Sequence, residues 1–317
     1  MGPIGKTLVV ALGILAAGAI RMNFEQEFTE DLRERRLAPP AVNVSSWNRM
    51  SQSSLAGAFG GLRSAMAFFT SLSAHGHFED QEWYELKKDY EVITSLDPYN
   101  SFSWSSGGGH LAYNAASWAR SQRDQPEIQR LTIEREYLEA GDAFLREGLH
   151  YLPEDHKLWA DIARIWSHRL KRPDPERALE AWEKAAEISD NPLYERRRFY
   201  TLSQIRGRER EALELGIAMR EKEPRHLRVP SFRVNLWALY QNPELPLGMR
   251  KPSMTEIFGT HKKAYSDLYN YYFRTQDEGF YAGNIEADHR RLIIELQVPF
   301  HFNPFLSPRQ RRIPKNW

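Results

Sequence analysis

The sequence predicts an all-α protein made of antiparallel helix pairs stacked side by side. Three observations carry this. From about residue 55 to 228 apolar residues recur at helical offsets of 3, 4 and 7, with no segment alternating as a half-buried strand does. Large aromatic residues alternate with small ones on successive predicted helices, the pattern that lets two helix axes approach closely. The chain is also aromatic-rich, with 9 Trp, 14 Tyr and 16 Phe in 317 residues, as helix-pair repeats commonly are.

Composition narrows the function. There are 43 basic and 42 acidic residues, a net charge of +1, whereas a protein that works by neutralising phosphates is usually visibly basic. Nucleic acid is therefore not an expected partner. Cysteine is absent, which removes disulfides, thiolate nucleophiles and Cys-based metal sites together.

Residues 1–22, "MGPIGKTLVVALGILAAGAIRM", place an uncharged apolar run from Thr7 to Ile20 between Lys6 and Arg21. The run is short of the ~20 residues that span a bilayer core, but Lys6 and Arg21 extend it by snorkelling. It reads as a retained membrane anchor formed by residues 7–20. The alternative is a cleaved signal peptide, with Ala17, Gly18 and Ala19 as its small-residue cleavage motif. A third reading is a buried soluble helix; in the first two the body is expected outside the cytoplasm, periplasmic and membrane-anchored in the first case and secreted in the second. Residues 23–54 read as a linker or stalk, whose first part can form a short helix that Pro39 and Pro40 end. Residues 55–228 form the helical repeat domain and 229–297 a helical extension. In that extension Pro230 to Pro252 is expected to be irregular. One helix follows around 253–276, opened by a Ser253–Glu256 capping box, and another around 284–297. The tail, 298–317, is basic, aromatic and proline-punctuated, hence expected to be extended.

The clearest repeat unit runs from "LWADIARIW" through "ERALEAWEKAAEI". Trp159, Ile162, Ala163 and Trp166 fall on one helical face; Ala178, Trp182 and Ala185 repeat the alternation on the next helix. This unit resembles the tetratricopeptide repeat residue by residue, except that its inter-helix turn is about three residues too long. Weaker units surround it: "EWYELKKDYEVITSLDP" through Trp83, Tyr90 and Pro98; "AGDAFLREGLHYLP" through Gly141, Leu145 and Gly148; and "GREREALELGIAMREKEP" through Gly207, Ala212 and Pro224. The chain is thus similar to bacterial membrane-anchored tetratricopeptide proteins. The resemblance implies a right-handed superhelix and a non-enzymatic scaffold in an envelope assembly such as a pilus, secretion or polysaccharide-export system. Its concave groove would bind an extended segment or helix of a partner protein, with no metal or other cofactor.

"WSSGGGHLAYNAASW", residues 104–118, fits the same frame. Trp104, Gly107, Gly108 and Leu111 stand at offsets 0, 3, 4 and 7, with Gly108 where a small residue is wanted. A phosphate-binding loop would need a preceding strand and a following Lys, and neither is present. If first helices line the groove, the exposed polar residues there are the partner contacts: Asn114, Asp161, Arg164, His168 and Arg197. The competing reading is a metal-dependent or other enzyme that uses His75, His77 and His110, since His-x-His with Glu79 and Asp80 supplies suitable ligands. "AHGHFED", however, reads as a turn between helices, where polar residues are expected. Arg196–Arg198, Arg206, Arg208 and Arg210, and the tail's Arg309, Arg311, Arg312 and Lys315, offer charge to anionic lipid headgroups or an acidic peptide, but read first as ordinary surface charge.

Overall fold

The computed structural model describes residues 34–35, 63–168, 173–242, 245, 250–275 and 283–306. Those residues are helical or irregular, with no strand among them. The expected apolar helix over residues 7–20, the stalk apart from Glu34 and Arg35, and the basic part of the tail lie outside them. No helix among the described residues is long and apolar enough to cross a membrane. The chain divides into two compact units, Met1–Pro153 and Glu154–Trp317, a division that falls inside the 55–228 span.

The first unit begins with a hairpin of α1 (Arg63–Glu79) and α2 (Trp83–Leu96). The expected turn at residues 74–80 lies further on. Helix α1 continues through His75 and His77 to Glu79, and the reversal is made at Asp80–Glu82, where Gln81 has φ +60°. A rod follows, composed of α3 (Ser101–Gly109), a π-helical segment (His110–Ala115) and α4 (Ala116–Ser121). It packs along its length on α5 (Glu127–Tyr151). Trp104 and Leu111 are buried as the spacing requires, and the Trp104 indole donates to the Pro98 carbonyl at 2.9 Å. Gly107 and Gly108 are buried in the rod. Gly141 and Gly148 are their counterparts on α5, Gly148 lying under the Trp104 ring. What sequence spacing does not announce is the π segment; π-helical turns inside α-helices are rare and frequent at functional sites.

The second unit starts with α6 (His156–Ser167), opened by Asp155, whose carboxylate accepts from the Lys157 and Leu158 amides. Helix α7 (Pro175–Ile188) is opened by Asp174 and Pro175 in the arrangement that helix starts favour. Ile162, Ala163, Trp166, Ala178, Trp182 and Ala185 are all buried between or beside these two helices. The Arg177 guanidinium covers the Trp166 ring at 3.6 Å. Trp159 is the exception among the expected core positions. It is half-buried, and its neighbour Leu158 takes the fully buried place.

Then come α8 (Pro192–Leu202), α9 (Glu209–Lys222), a 3-10 turn (Pro224–Arg228) and α10 (Pro230–Tyr240). Helix α10 corrects the expectation of irregular structure from Pro230. That proline occupies the first helical turn, where its missing N–H is no loss and its fixed φ suits a helix start. Phe232, Val234, Leu236, Trp237, Leu239 and Tyr240 make α10 apolar almost all round, and it sits at the centre of the unit's core with Phe199, Phe258 and Leu268. The single helix expected over 253–276 is two. Helix α11 (Met254–Phe258) opens on the Ser253–Glu256 capping box. It stops at Gly259, whose φ of +85° lies in the left-handed region that glycine enters without a Cβ clash, and α12 (His261–Thr275) starts afresh. Helix α13 (Gly283–Glu295) and a 3-10 turn (Phe300–Phe302) complete the order.

Helix α13 carries His289, which is fully buried with no hydrogen-bond partner on either ring nitrogen. It is boxed by Tyr265 at 5.3 Å, Phe305 at 5.1 Å, Tyr272 at 6.3 Å and Tyr269 at 6.4 Å. Burial, then the adjacent Arg290 charge, pushes its pKa down to about 4. An unfolded histidine titrates near ~6.5, so between about pH 6.5 and 4 the unfolded chain takes up a proton that the folded chain refuses. Stability is expected to fall across that window by up to about 3 kcal/mol and to change no further below it through this group. Denaturation midpoints followed against pH check this, and His289→Phe should remove that part of the acid slope. An unchanged slope in the variant would show that His289 is not the group responsible.

Candidate functional site

An open groove of about 480 Å³ lies in the first unit, between the end of α1 and the π segment with α4. One wall comes from the α1–α2 reversal: Phe78, Glu79, Gln81 and Trp83. The other comes from Asn114, Ser117, Trp118, Ser121 and Gln122, which the rod places along one side at helical spacing. Among these Asn114, Ser117 and Ser121 are exposed, whereas Trp83 is buried and Phe78 and Trp118 half-buried. The aromatic floor is anchored from below. Trp83, Ala74, Leu86, Ile93 and Ala115 form a core cluster against which Phe78, Tyr90 and Trp118 pack.

His110, first residue of the π segment, supports the groove rather than opening into it. Its ring lies 4.8 Å from Phe78 and 5.6 Å from Tyr90, and its Nδ1 is 2.9 Å from the Asn114 amide nitrogen. Burial lowers the pKa of His110, so at neutral pH it is the uncharged imidazole, whose Nδ1 accepts from the Asn114 N–H2. Tyr90 is pushed the other way by burial and stays a neutral phenol. The π turn and this hydrogen bond thus fix the orientation of Asn114, one of the residues expected to touch a partner.

The three histidines of the competing reading do not converge. His75 lies 3.4 Å from Glu79 on the exposed side of α1. His77 Nδ1 is 2.7 Å from Asp89 and its Nε2 is 3.7 Å from Glu82, tying the end of α1 to α2. His110 is held as described. Among the described residues no group of three or more His, Cys, Asp or Glu side chains could hold a metal ion.

The other expected contacts are elsewhere. Arg164 is exposed on α6 and pairs with Asp161, which is half-buried instead of exposed as expected. Arg197 is exposed on α8, and His168 caps the C-terminal end of α6 with a half-buried side chain. These four belong to the second unit and Asn114 to the first. Sequence reasoning missed the rest of the lining as a site, above all Phe78 and Trp118. Periodicity assigns such aromatics to a core; only the packing of a turn against a helix 36 residues later shows them lining a groove. Of the two basic clusters, Arg198 pairs with Glu183, and Arg208 with Glu176 and Glu211, as surface charge does.

No protein-family model matches the sequence, and no curated protein is significantly similar to it.

Proposed function

We propose that the chain is a membrane-tethered, tetratricopeptide-like scaffold, held at an extracytoplasmic surface by residues 7–20, that captures a segment of another protein of a bacterial envelope assembly. The helix pairs stack as a right-handed superhelix, and the first unit supplies the capture site. The observation that carries the reading is the groove between the α1–α2 reversal and α4: wide enough for side chains of an extended segment, floored by aromatics and rimmed by amides, hydroxyls and the Glu79 carboxylate. Such a surface provides apolar anchoring and backbone hydrogen bonding without a nucleophile–base pair, which is what peptide recognition requires.

The test is crosslinking in the native membrane from a photoreactive residue at Ser117, an exposed position, followed by identification of the captured protein. A single partner is expected. Asn114→Arg, a change at an exposed rim position, should abolish capture and leave the melting temperature where it was. Capture unaffected by Asn114→Arg would remove the groove from the function. A melting temperature that falls together with capture would make Asn114 a structural residue.

A further inference from the structure

The groove holds three aromatic rings and one charge. Phe78 meets Trp83 edge-on with centroids 5.9 Å apart, and Trp83 meets Trp118 at 6.4 Å with ring planes 58° apart. The rings therefore stand at steep angles to one another along one side of an open space, as the walls of a partial cage. Among the described residues that line the space, Glu79 is the sole acidic one, and none is Lys, Arg or His. Asp80, exposed, and Glu82, 3.7 Å from the His77 imidazole, stand next to Glu79, so the reversal side of the groove is acidic, while Arg120, paired with Glu134, and Arg123 flank the α4 side in sequence. His75, one turn earlier on α1, lies 3.4 Å from Glu79.

Three kinds of side chain can enter such a space. An apolar one fills it but strips water from Glu79 with nothing in exchange, a loss for a carboxylate. An anionic one meets Glu79 and the negative faces of the rings, and is repelled. A cationic one is attracted by both, because the quadrupole of each ring presents negative charge to an ion over its face. The chain uses this chemistry in its own folding: Lys88 Nζ lies 4.1 Å from the Tyr84 centroid and Arg290 4.0 Å from that of Phe305. We propose that the groove is a reader of positive charge, taking a lysine or arginine side chain of the captured segment against Phe78, Trp83 and Trp118 with its charge on Glu79. This rests on the reading of the groove as a capture site and specifies what is captured. Asn114, Ser117 and Gln122 then meet the backbone on either side of the basic residue, and binding weakens with salt because Glu79 is solvent-facing.

The experiment uses the intact chain and four probes: the Nα-acetyl methylamides of lysine, arginine and norleucine, and tetramethylammonium. Binding is followed on the indole N–H signals of the nine tryptophans, with Trp83 and Trp118 assigned by Trp→Phe variants. The lysine and arginine amides should shift these two indoles saturably, at least about threefold more tightly than the norleucine amide. Glu79→Gln, at an exposed position, should remove that preference, weakening the lysine and arginine amides and relieving the desolvation loss of the norleucine amide, without changing the melting temperature. Equal binding of lysine and norleucine overturns the charge assignment and leaves the groove as a capture site. Silence of both indoles toward every probe overturns it as well; crosslinking from Ser117 then decides separately whether the groove captures a protein. Tetramethylammonium binding more tightly than the lysine amide would reassign the cage to a quaternary ammonium group and overturn the proposal of a basic partner residue.

Discussion

Asp267→Ala is expected to destabilise the second unit by about 3–5 kcal/mol, one of the largest single-residue effects in the chain. Arg233 sits in the middle of α10 with 1% of its surface exposed, and Asp267 on α12 has 6% exposed. The guanidinium donates from Nε and Nη2 to one carboxylate oxygen, at 2.7 and 2.5 Å, and from Nη1 to the Leu227 carbonyl. The carboxylate is the only anionic partner that these contacts give the buried guanidinium, so removing it strands a buried cation on one part-buried carbonyl. Taking both charges out together is a different change. Arg233→Met with Asp267→Leu replaces the pair by apolar side chains of similar volume, and such exchanges are often neutral or stabilising. The double variant should therefore be more stable than Asp267→Ala, although it carries two substitutions. Guanidinium denaturation of the three proteins, with amide exchange followed across α10 and α12, measures this. A loss below about 1 kcal/mol for Asp267→Ala would mean that water reaches the pair and that it is an ordinary surface bridge.

Arg233 also explains part of what could be read from the chain and what could not. Elements with their own local signals were legible. Ser253 and Glu256 sit three apart and do form the capping box; Trp104 and Leu111, and Ile162 through Ala185, do carry the buried faces that their spacing requires. Helix α10 was not legible, because it opens on a proline and has a charge in its centre, and both signals argue locally for a loop. They are reversed only by Pro230 falling at the first turn and by Asp267 arriving from 34 residues away. The break at Gly259 is similar: a glycine inside a helical pattern is tolerated or terminating depending on the φ that tertiary packing demands. The candidate site was legible in a single residue, Asn114. Its walls come from a reversal displaced from its expected place and from a π turn, which shifts every later side chain around the rod relative to an α-helical count. A spacing argument that assumes 3.6 residues per turn cannot follow a face through such a segment.

The glycines give the sharpest test of the first unit, because three adjacent positions of one residue type are expected to respond with opposite signs. A Cβ at Gly109 meets nothing within 4 Å, and its backbone is helical with φ −64°. Gly109→Ala should therefore stabilise by up to about 1 kcal/mol through helix propensity alone. A Cβ at Gly108 would lie 2.6 Å from Leu145 Cγ, and at Gly107 2.5 Å from the Phe144 ring, both of them buried side chains of α5. Overpacking there costs about 1–3 kcal/mol, which exceeds the propensity gain, so both alanine variants should be destabilised. Gly141 on α5 is the extreme case. Its Cβ would meet the Gly108 carbonyl oxygen at 2.8 Å and the Ala112 nitrogen at 3.0 Å, both of them backbone atoms that no rotamer change can move. The rod and α5 must separate to admit it, which loosens the contacts on either side. Gly141→Ala should fall at the upper end of that range and Gly141→Leu should leave the unit unfolded. Thermal denaturation of the four alanine variants orders them as Gly109 above wild type, then Gly107 and Gly108 below, then Gly141. If Gly109→Ala destabilises like its neighbours, a surface covers that position in the folded protein, and the run of three glycines serves two contacts instead of one. If all four are neutral, the rod and α5 are not packed at the distance given by these atoms, and the floor of the groove, which rests on the same rod, is not rigid.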